Sequence, residues 1–315
     1  MKDLIILGNG MAGMTAALYA KRANLDFKIV GRDEYDFGQI ANAIQVENFP
    51  CVKPQSGMEL AMDLHDQLTI ENDIIIEEHI VKQVRKTDDM FVINYEDNST
   101  DEAKTVIYAL GASHRKLNCE IGEGTPIHYC ALCDGNLYAH KTVAIIGGGD
   151  VAFTQAEYLS KICKNVTIIM CDENVTAAPS TFDRVRKIDN IEIVYNFPID
   201  KIFKNDNGKI IMNMTYKNVE PFGEPTIRKK SIGSFDGIFV AIGMTPNTTP
   251  LKHSSVLLNR DGYIATDKAL ESVNTPGFFA VGDVREKKVR QAITAASDGA
   301  IAAQSVIDYL KRVDT

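Results

Sequence analysis

The chain has 315 residues, of which 45% are hydrophobic and 24% are charged, and its formal net charge is -8. This length predicts roughly two domains, and the composition is typical of a globular protein. No basic cluster, no apolar run of the roughly 20 residues that cross a bilayer, and no export signal is present. We therefore expect no nucleic-acid or membrane partner, and a cytoplasmic location.

The first predicted elements form a strand, a glycine turn and a helix. Residues 4–7 are an apolar strand, residues 8–13 read GNGMAG, and a helical run covers residues 14–22. GxGxxG between a strand and a helix is the dinucleotide-binding fingerprint, and a glycine turn without a ligand is the alternative. A second strand, residues 27–30, is followed by Asp33 and Glu34, where an acid is expected to meet a ribose. Of the two, Glu34 is favoured.

The next stretch completes the first half of the chain. The pattern predicts a helix over residues 57–72 and short strands over residues 81–84, 91–95 and 105–109. The last of these strands is followed by a glycine, at position 111.

A pair of cysteines with an acid beside them follows, in the sequence Cys130-Ala131-Leu132-Cys133-Asp134. Two cysteines at this spacing can close a small disulfide ring, and Asp134 can carry a proton to or from a thiolate, so the pair indicates a redox dithiol. Structural zinc is disfavoured because the chain has no second CxxC. A structural disulfide is also disfavoured, since the other four cysteines are scattered singly. These lone cysteines are expected to be buried thiols.

The second glycine turn, GGGDVA at residues 147–152, repeats the first. A shift of 139 residues places Leu4 on Val143, Gly13 on Ala152 and Glu34 on Glu173 without a gap. Two units of equal length predict two dinucleotide sites. The second unit has acids after its second strand, Asp172 and Glu173, and no arginine there. Because a ribose diol accepts an acid and a 2'-phosphate requires basic groups, NADH is favoured over NADPH.

The remainder of the chain predicts strands, turns and one closing helix. Residues 191–234 read as strands and turns, with a hairpin turn at residues 205–208. Residues 235–243 and 275–283 predict two further buried strands, the second ending in Gly282 and Asp283. An Ala-rich helix is predicted over residues 290–309.

These motifs, taken together and in this order, resemble the low-molecular-weight thioredoxin reductases over essentially the whole chain. The motifs that carry the resemblance are GNGMAG (8–13), VENFP (46–50), ALGA (109–112), CALCDG (130–135), GGGD (147–150), GMTPNT (243–248), AVGD (280–283) and RQA (290–292).

The resemblance implies an α/β fold with two Rossmann-like dinucleotide-binding domains, the second inserted into the first. The FAD domain would comprise residues 1–112 and 243–315, and residues 113–242 would form the inserted pyridine-nucleotide domain. It also implies a homodimer in which the inserted domain rotates. In such an enzyme, Cys133 exchanges electrons with the flavin, Cys130 attacks the disulfide of thioredoxin or a similar dithiol protein, and Asp134 manages protons.

The expected cofactor contacts combine the fingerprints with the resemblance. FAD is expected to be bound by Gly8, Gly10, Met11, Ala12, Gly13, Glu34, Gln39, Asn48, Ala112, Gly282, Asp283, Arg290, Gln291 and Ala292. The second dinucleotide is expected to be bound by Gly147, Gly149, Asp150, Val151 and Asp172.

One departure from the family bears on the electron donor. The family's His-Arg-Arg, which binds the phosphate of NADPH, is Met170-Cys171-Asp172 here. Some relatives take electrons from ferredoxin instead, and others hold a second flavin nucleotide in that pocket.

Two alternative functions remain open. One is a ferredoxin-NADP reductase, which is disfavoured because that relative lacks the CxxC, and the other is a non-catalytic flavin redox sensor.

Overall fold

The computed structural model describes residues 1–43, 46–87, 90–218 and 226–313. The chain forms two compact units, each with its own core. The terminal unit comprises Met1–Ser113 and Met244–Thr315, and the inserted unit comprises His114–Gly243. The predicted domain limits lie one residue earlier in each case. Among the described residues, none of the helices combines the length and the apolar character that crossing a membrane requires.

The strands of the described residues follow one another along both units. They are β1 (Lys2–Leu7), β2 (Phe27–Gly31), β3 (Ile76–Glu78), β4 (Val81–Lys86), β5 (Phe91–Tyr95), β6 (Thr100–Tyr108), β7 (Ala112–His114), β8 (Glu120–Ile121), β9 (Ile127–His128), β10 (Thr142–Ile146), β11 (Asn165–Ile169), β12 (Ile191–Val194), β13 (Lys201–Lys204), β14 (Ile210–Asn218), β15 (Thr226–Phe235), β16 (Gly237–Val240), β17 (Met244–Pro246) and β18 (Phe278–Ala280). The helices are α1 (Met11–Arg22), α2 (Gly57–Asn72), α3 (Ala131–Asp134), α4 (Asp150–Ser160), α5 (Pro179–Val185) and α6 (Ala292–Val313).

Each unit is built on a sheet with a parallel centre. In the terminal unit the order is β3-β2-β1-β6-β5-β4, and β18 also pairs with β6. In the inserted unit the order is β12-β11-β10-β16-β9, and a second sheet has the order β15-β14-β13-β8. In both units the first strand lies between the second strand and a later one, which is the order of nucleotide-binding folds.

The repeat predicted from the sequence is confirmed in the strand register. Leu4 pairs with Phe27 in the terminal unit, and Val143 pairs with Val166 in the inserted unit, which is the same register displaced by 139 residues. Helices α1 and α4 begin at equivalent positions, Met11 and Asp150. Residues 4–7 of β1 and 143–146 of β10 are apolar and buried, as parallel strands between helical layers require.

The predicted helices and strands agree with the structure to different degrees at their ends. Helix α2 has the predicted bounds, since a capping box between Ser56 and Glu59 fixes its start. Helix α1 begins at Met11 rather than at residue 14, so half of the glycine motif is helical. The strand predicted over residues 275–283 is limited to Phe278–Ala280 and is followed by a 3-10 turn, Gly282–Val284.

A buried charged cluster joins helix α6 to this turn. Asp298 is 4% exposed, and its carboxylate accepts hydrogen bonds from Arg285 (2.8 and 2.9 Å), Lys287 (2.8 Å) and the backbone N–H of Gly282 (3.0 Å). Burial alone would raise the pKa of Asp298, but the bonds from Arg285 and Lys287 outweigh burial, and the net pKa is lowered. The ionised carboxylate therefore stabilises the fold.

We expect Asp298→Asn to lower the free energy of unfolding at pH 7 by about 3 kcal/mol, because it leaves two partly buried cations without their counter-ion. A carboxyl with a lowered pKa stabilises the folded state above its ordinary pKa of about 4, and this contribution is lost as pH falls through the lowered value. Urea denaturation from pH 7 to pH 3 should therefore show a weaker acid dependence in the variant. Asp308→Asn, an exposed position on the same helix, is the control, and equal losses in the two variants would contradict the assignment.

Candidate active site

The first glycine turn is shaped by close backbone contacts. Gly8 has φ +109°, and a β carbon there would meet the carbonyl of Ala109, while one at Gly13 would meet the carbonyl of Gly8. Helix α1 begins next, with Gly10 as its N-cap, no capping side chain and no acid in its first turn. Amides at such a helix start bind the pyrophosphate of a dinucleotide, so this turn fits one.

The segment that follows β18 carries two buried polar atoms without partners. Among the described residues, Asp283 Oδ1 and Arg290 Nε are buried and make no hydrogen bond, and the Arg290 guanidinium lies 4.3 Å from the ring centre of Tyr263. Burial raises the pKa of Asp283 despite the positive charges of Lys287 and Arg290. Buried polar groups are normally satisfied, so these atoms fit the hydroxyls and ring polar atoms of a bound FAD.

Four of the other residues predicted to bind FAD are joined in pairs. The Gln39 side chain donates to the carbonyl of Ala112, and Asn48 Nδ2 donates to Gln291 Oε1 at 3.1 Å. Helix α6 begins at Ala292 rather than at the predicted residue 290, so residues 290–291 directly precede the helix start. Residues from distant parts of the chain are thus brought together within the terminal unit.

Glu34, the predicted ribose ligand, contacts a buried histidine. Its Oε1 lies 3.1 Å from Nε2 of His65, on helix α2, and its backbone N–H donates to Glu78. The side chain of Asn9 donates to the carbonyls of Asp33 and Glu34. Sequence reasoning missed His65, because a single histidine on an amphipathic helix carries no functional signal.

The dithiol lies at the start of the short helix α3. Cys130 and Cys133 are joined as a disulfide with a Cα–Cα distance of 5.3 Å. Cys130 is also the N-cap residue, since the N–H of Cys133 donates to its sulfur at 3.2 Å. Both cysteines are half-buried, whereas Asp134 is 6% exposed. Asp134 Oδ2 lies 3.0 Å from Nδ1 of His128, and its Oδ1 is among the unpartnered buried atoms.

The expectation that the lone cysteines are buried holds for one of them only. Cys163 is buried, and burial raises its pKa to about 11, so it is a passive thiol. Cys119 is partly buried, and burial raises its pKa as well. Cys51 lies in a surface turn and Cys171 lies at a strand end. Both are exposed, contrary to the expectation of buried thiols.

The second glycine turn has the same backbone shape and a different electrostatic environment. Gly147 has φ +149°, and a β carbon there would meet the carbonyl of Ala241. Helix α4 has Gly149 as an uncapped N-cap, so its free amides also fit a pyrophosphate. Here, however, Asp150 stands in the first turn and accepts a hydrogen bond from the N–H of Ala178. Val151 is exposed beside it.

The strand end beside this turn carries acids. Asp172 Oδ1 accepts from the N–H of Asn174, and no lysine or arginine occurs between residues 165 and 183. The next two arginines are paired with acids: Arg184 with Glu157 at 3.0 Å and Arg186 with Asp183 at 2.9 Å. This part of the inserted unit therefore offers a ribose diol a hydrogen-bond acceptor and offers a phosphate no free cation.

Comparisons with known proteins show the family of this chain. The family model described as pyridine nucleotide-disulphide oxidoreductase matches residues 2–299. A "34.2 kDa protein in rubredoxin operon" of Clostridium pasteurianum is 36% identical over 98% of this chain and 97% of its own length. A thioredoxin reductase of Mycoplasma genitalium is 32% identical over 97% of this chain and 94% of its own length. The crystal structure of thioredoxin reductase from Streptococcus pyogenes is 35% identical, with a TM-score of 0.84 and 99% of each chain covered.

Two dinucleotide-type turns and a dithiol on one chain define a disulfide oxidoreductase. The chain belongs to the pyridine nucleotide-disulphide oxidoreductase family and, within it, to the low-molecular-weight thioredoxin reductases. It is accordingly an enzyme of the flavoprotein disulfide reductase type.

We expect Asp283→Ala to weaken FAD binding at least tenfold, because a polar group poised for the ligand is removed from a buried site. The measurement is the dissociation constant of FAD for the apoprotein, followed by quenching of flavin fluorescence. Asp261→Ala, an exposed acid in the same unit, serves as the matched control. Unchanged affinity in Asp283→Ala would show that its unpartnered oxygen does not face the cofactor.

Proposed function

We propose that this enzyme passes electrons from FAD through the Cys130–Cys133 dithiol to thioredoxin or a thioredoxin-like protein. The observation that carries the proposal is a disulfide at a helix start with a buried carboxyl directly beside it. A helix N-terminus stabilises a thiolate, and a neighbouring carboxyl can exchange protons with it. When bound, FAD supplies the two-electron carrier that reduces this disulfide.

The exchange with the partner follows ordinary thiol–disulfide chemistry. The thiolate of Cys130 attacks one sulfur of the partner's disulfide, and the partner's other sulfur leaves as a thiolate and takes up a proton. The thiolate of Cys133 then attacks the sulfur of Cys130, which releases the partner as a dithiol and restores the protein's disulfide. Two electrons and two protons have then passed to the partner, with Asp134 exchanging protons at the dithiol. We further propose a cytoplasmic homodimer as the working form.

We expect Cys130→Ser to abolish reduction of thioredoxin, since the attacking sulfur is lost, while FAD remains bound. The flavin is first reduced chemically, so that the identity of the donor does not matter. Thiol formation on thioredoxin is then measured in a single turnover. Cys171→Ser, which removes an exposed single thiol, is the control and should retain activity. Full turnover in Cys130→Ser would overturn the proposal, and flavin and disulfide chemistry without turnover in the wild type would favour a redox sensor.

For the electron donor we propose NADH rather than NADPH. The proposal is supported by the acids at residues 172–173 and by the pairing of Arg184 and Arg186 with other acids. Ferredoxin is the second candidate, because residues 165–183 offer the phosphates of a nucleotide no lysine or arginine. Anaerobic reduction of the enzyme by NADH, NADPH and reduced ferredoxin in parallel, followed by flavin bleaching, distinguishes the three.

We expect the double variant Cys171→Arg/Asp172→Arg to raise the ratio of kcat/KM for NADPH to that for NADH by at least tenfold, because the arginines supply the cations that a 2'-phosphate requires. Asp206→Arg in the hairpin turn makes the same change as the aspartate half of the double variant, at an exposed position, and should leave the ratio unchanged. Rapid bleaching of the wild-type flavin by low NADPH would contradict the proposed preference.

A further inference from the structure

A buried chain of three polar side chains leads away from the dithiol within the inserted unit. Asp134 Oδ2 lies 3.0 Å from His128 Nδ1, and His128 Nε2 lies 2.7 Å from the hydroxyl of Tyr138. The exposed fractions are 6% for Asp134, 4% for His128 and 8% for Tyr138. The chain thus links the carboxyl beside Cys133 to groups that the sequence reading did not single out.

The surrounding residues hold this arrangement in place. His128 ends strand β9 and packs on the ring of Phe239 at 5.2 Å between ring centres. A β carbon at Gly237 would clash with the ring of Tyr138, which explains the glycine at this position of β16. The nearby charges belong to Lys141, 5.6 Å from the Tyr138 ring centre, and to Asp236, which is paired with Lys209 at 2.6 Å.

The hydroxyl end of the chain keeps its proton at neutral pH. Burial, followed by the negative charges of Asp134 and Asp236, raises the pKa of Tyr138 to about 12. The phenol can therefore donate to His128 Nε2, which leaves the imidazole proton on Nδ1. When Asp134 is ionised, Nδ1–H donates to Oδ2 of the carboxylate. When Asp134 is protonated on Oδ1, Oδ2 still accepts from Nδ1–H, and the tyrosine still donates to Nε2.

We propose that His128 is a positioning residue for the dithiol, which with Tyr138 satisfies Asp134 Oδ2 in both protonation states and leaves Oδ1 free to exchange the proton. The inference rests on the proposed dithiol function and deepens it. The step that it supports is one proton transfer between Asp134 Oδ1 and a sulfur of the dithiol, in which an S–H bond forms as an O–H bond breaks, or the reverse. No oxidant or reductant is required for this transfer.

The test measures the proton exchange without an electron donor or a protein partner. The enzyme is reduced with excess dithiothreitol and alkylated with iodoacetamide between pH 5 and pH 10, and mass spectrometry follows each cysteine. The readout is the pH at which the alkylation rate at Cys133 reaches half of its maximum, because alkylation requires the thiolate. The exposed thiols of Cys51 and Cys171 serve as internal references.

We expect His128→Asn to shift the midpoint of the profile at Cys133 by about one pH unit, because the carboxyl beside this thiol loses the imidazole that donates to Oδ2. Tyr138→Phe, which keeps the packing against Gly237, should shift the midpoint in the same direction by less. His140→Asn is the control, since His140 is exposed and its φ of +61° suits asparagine.

The outcomes separate this inference from the proposed function. Profiles of both variants that superimpose on the wild type, or a uniform slowing at Cys133 without movement of the midpoint, would overturn the role of His128. If the variants shift the midpoint but the wild-type enzyme fails to reduce thioredoxin, the proposed function is refuted and the role of His128 stands. Misfolding of His128→Asn leaves Tyr138→Phe as the deciding variant.

Discussion

The structure depends on one constraint that occurs in both units: the backbone occupies the space that a side chain would need at the start of each glycine turn. The carbonyl of Ala109 closes on Gly8, and the carbonyl of Ala241 closes on Gly147. This contact holds the first strand, the following helix and a later strand together at the carboxyl edge of each sheet. The uncapped helix starts are thereby fixed where a pyrophosphate can bind. Each unit consequently presents its ligand site at the same edge of its sheet.

The electrostatic contrast between the two turns decides what each can bind. Helix α1 has no acid in its first turn, whereas α4 begins with Asp150. In the terminal unit, Arg285 and Lys287 form ion pairs with the buried carboxylate of Asp298. The second site has acids at its strand end and no free cation among residues 165–183. A shared backbone fold therefore carries two different charge environments, because the fold fixes the amides and the side chains fix the charge.

What the sequence could predict follows from how local each determinant is. The 139-residue repeat predicted the strand register because register depends on the lengths of strands and loops, and these lengths can be counted in the sequence. The start of α2 was predictable because Ser56 and Glu59 lie within one turn. The contact between Glu34 and His65 was not, since it joins residues 31 positions apart and depends on how α2 packs. The role of His128 was not predictable either, because its partner strand β16 lies more than 100 residues further along the chain.

A proton carrier beside a redox disulfide must meet two opposing demands. It must be shielded from water so that it exchanges its proton with sulfur, yet a shielded carboxylate is costly unless another group stabilises its charge. A lysine or arginine partner would satisfy the charge and hold the carboxyl permanently ionised, which would remove its ability to donate. A neutral imidazole whose tautomer is fixed by a phenol can donate to one carboxyl oxygen in both protonation states and leave the other oxygen free to gain or lose the proton. The geometry around Asp134 meets both demands with His128 and Tyr138 and without a fixed charge in direct contact with the carboxyl.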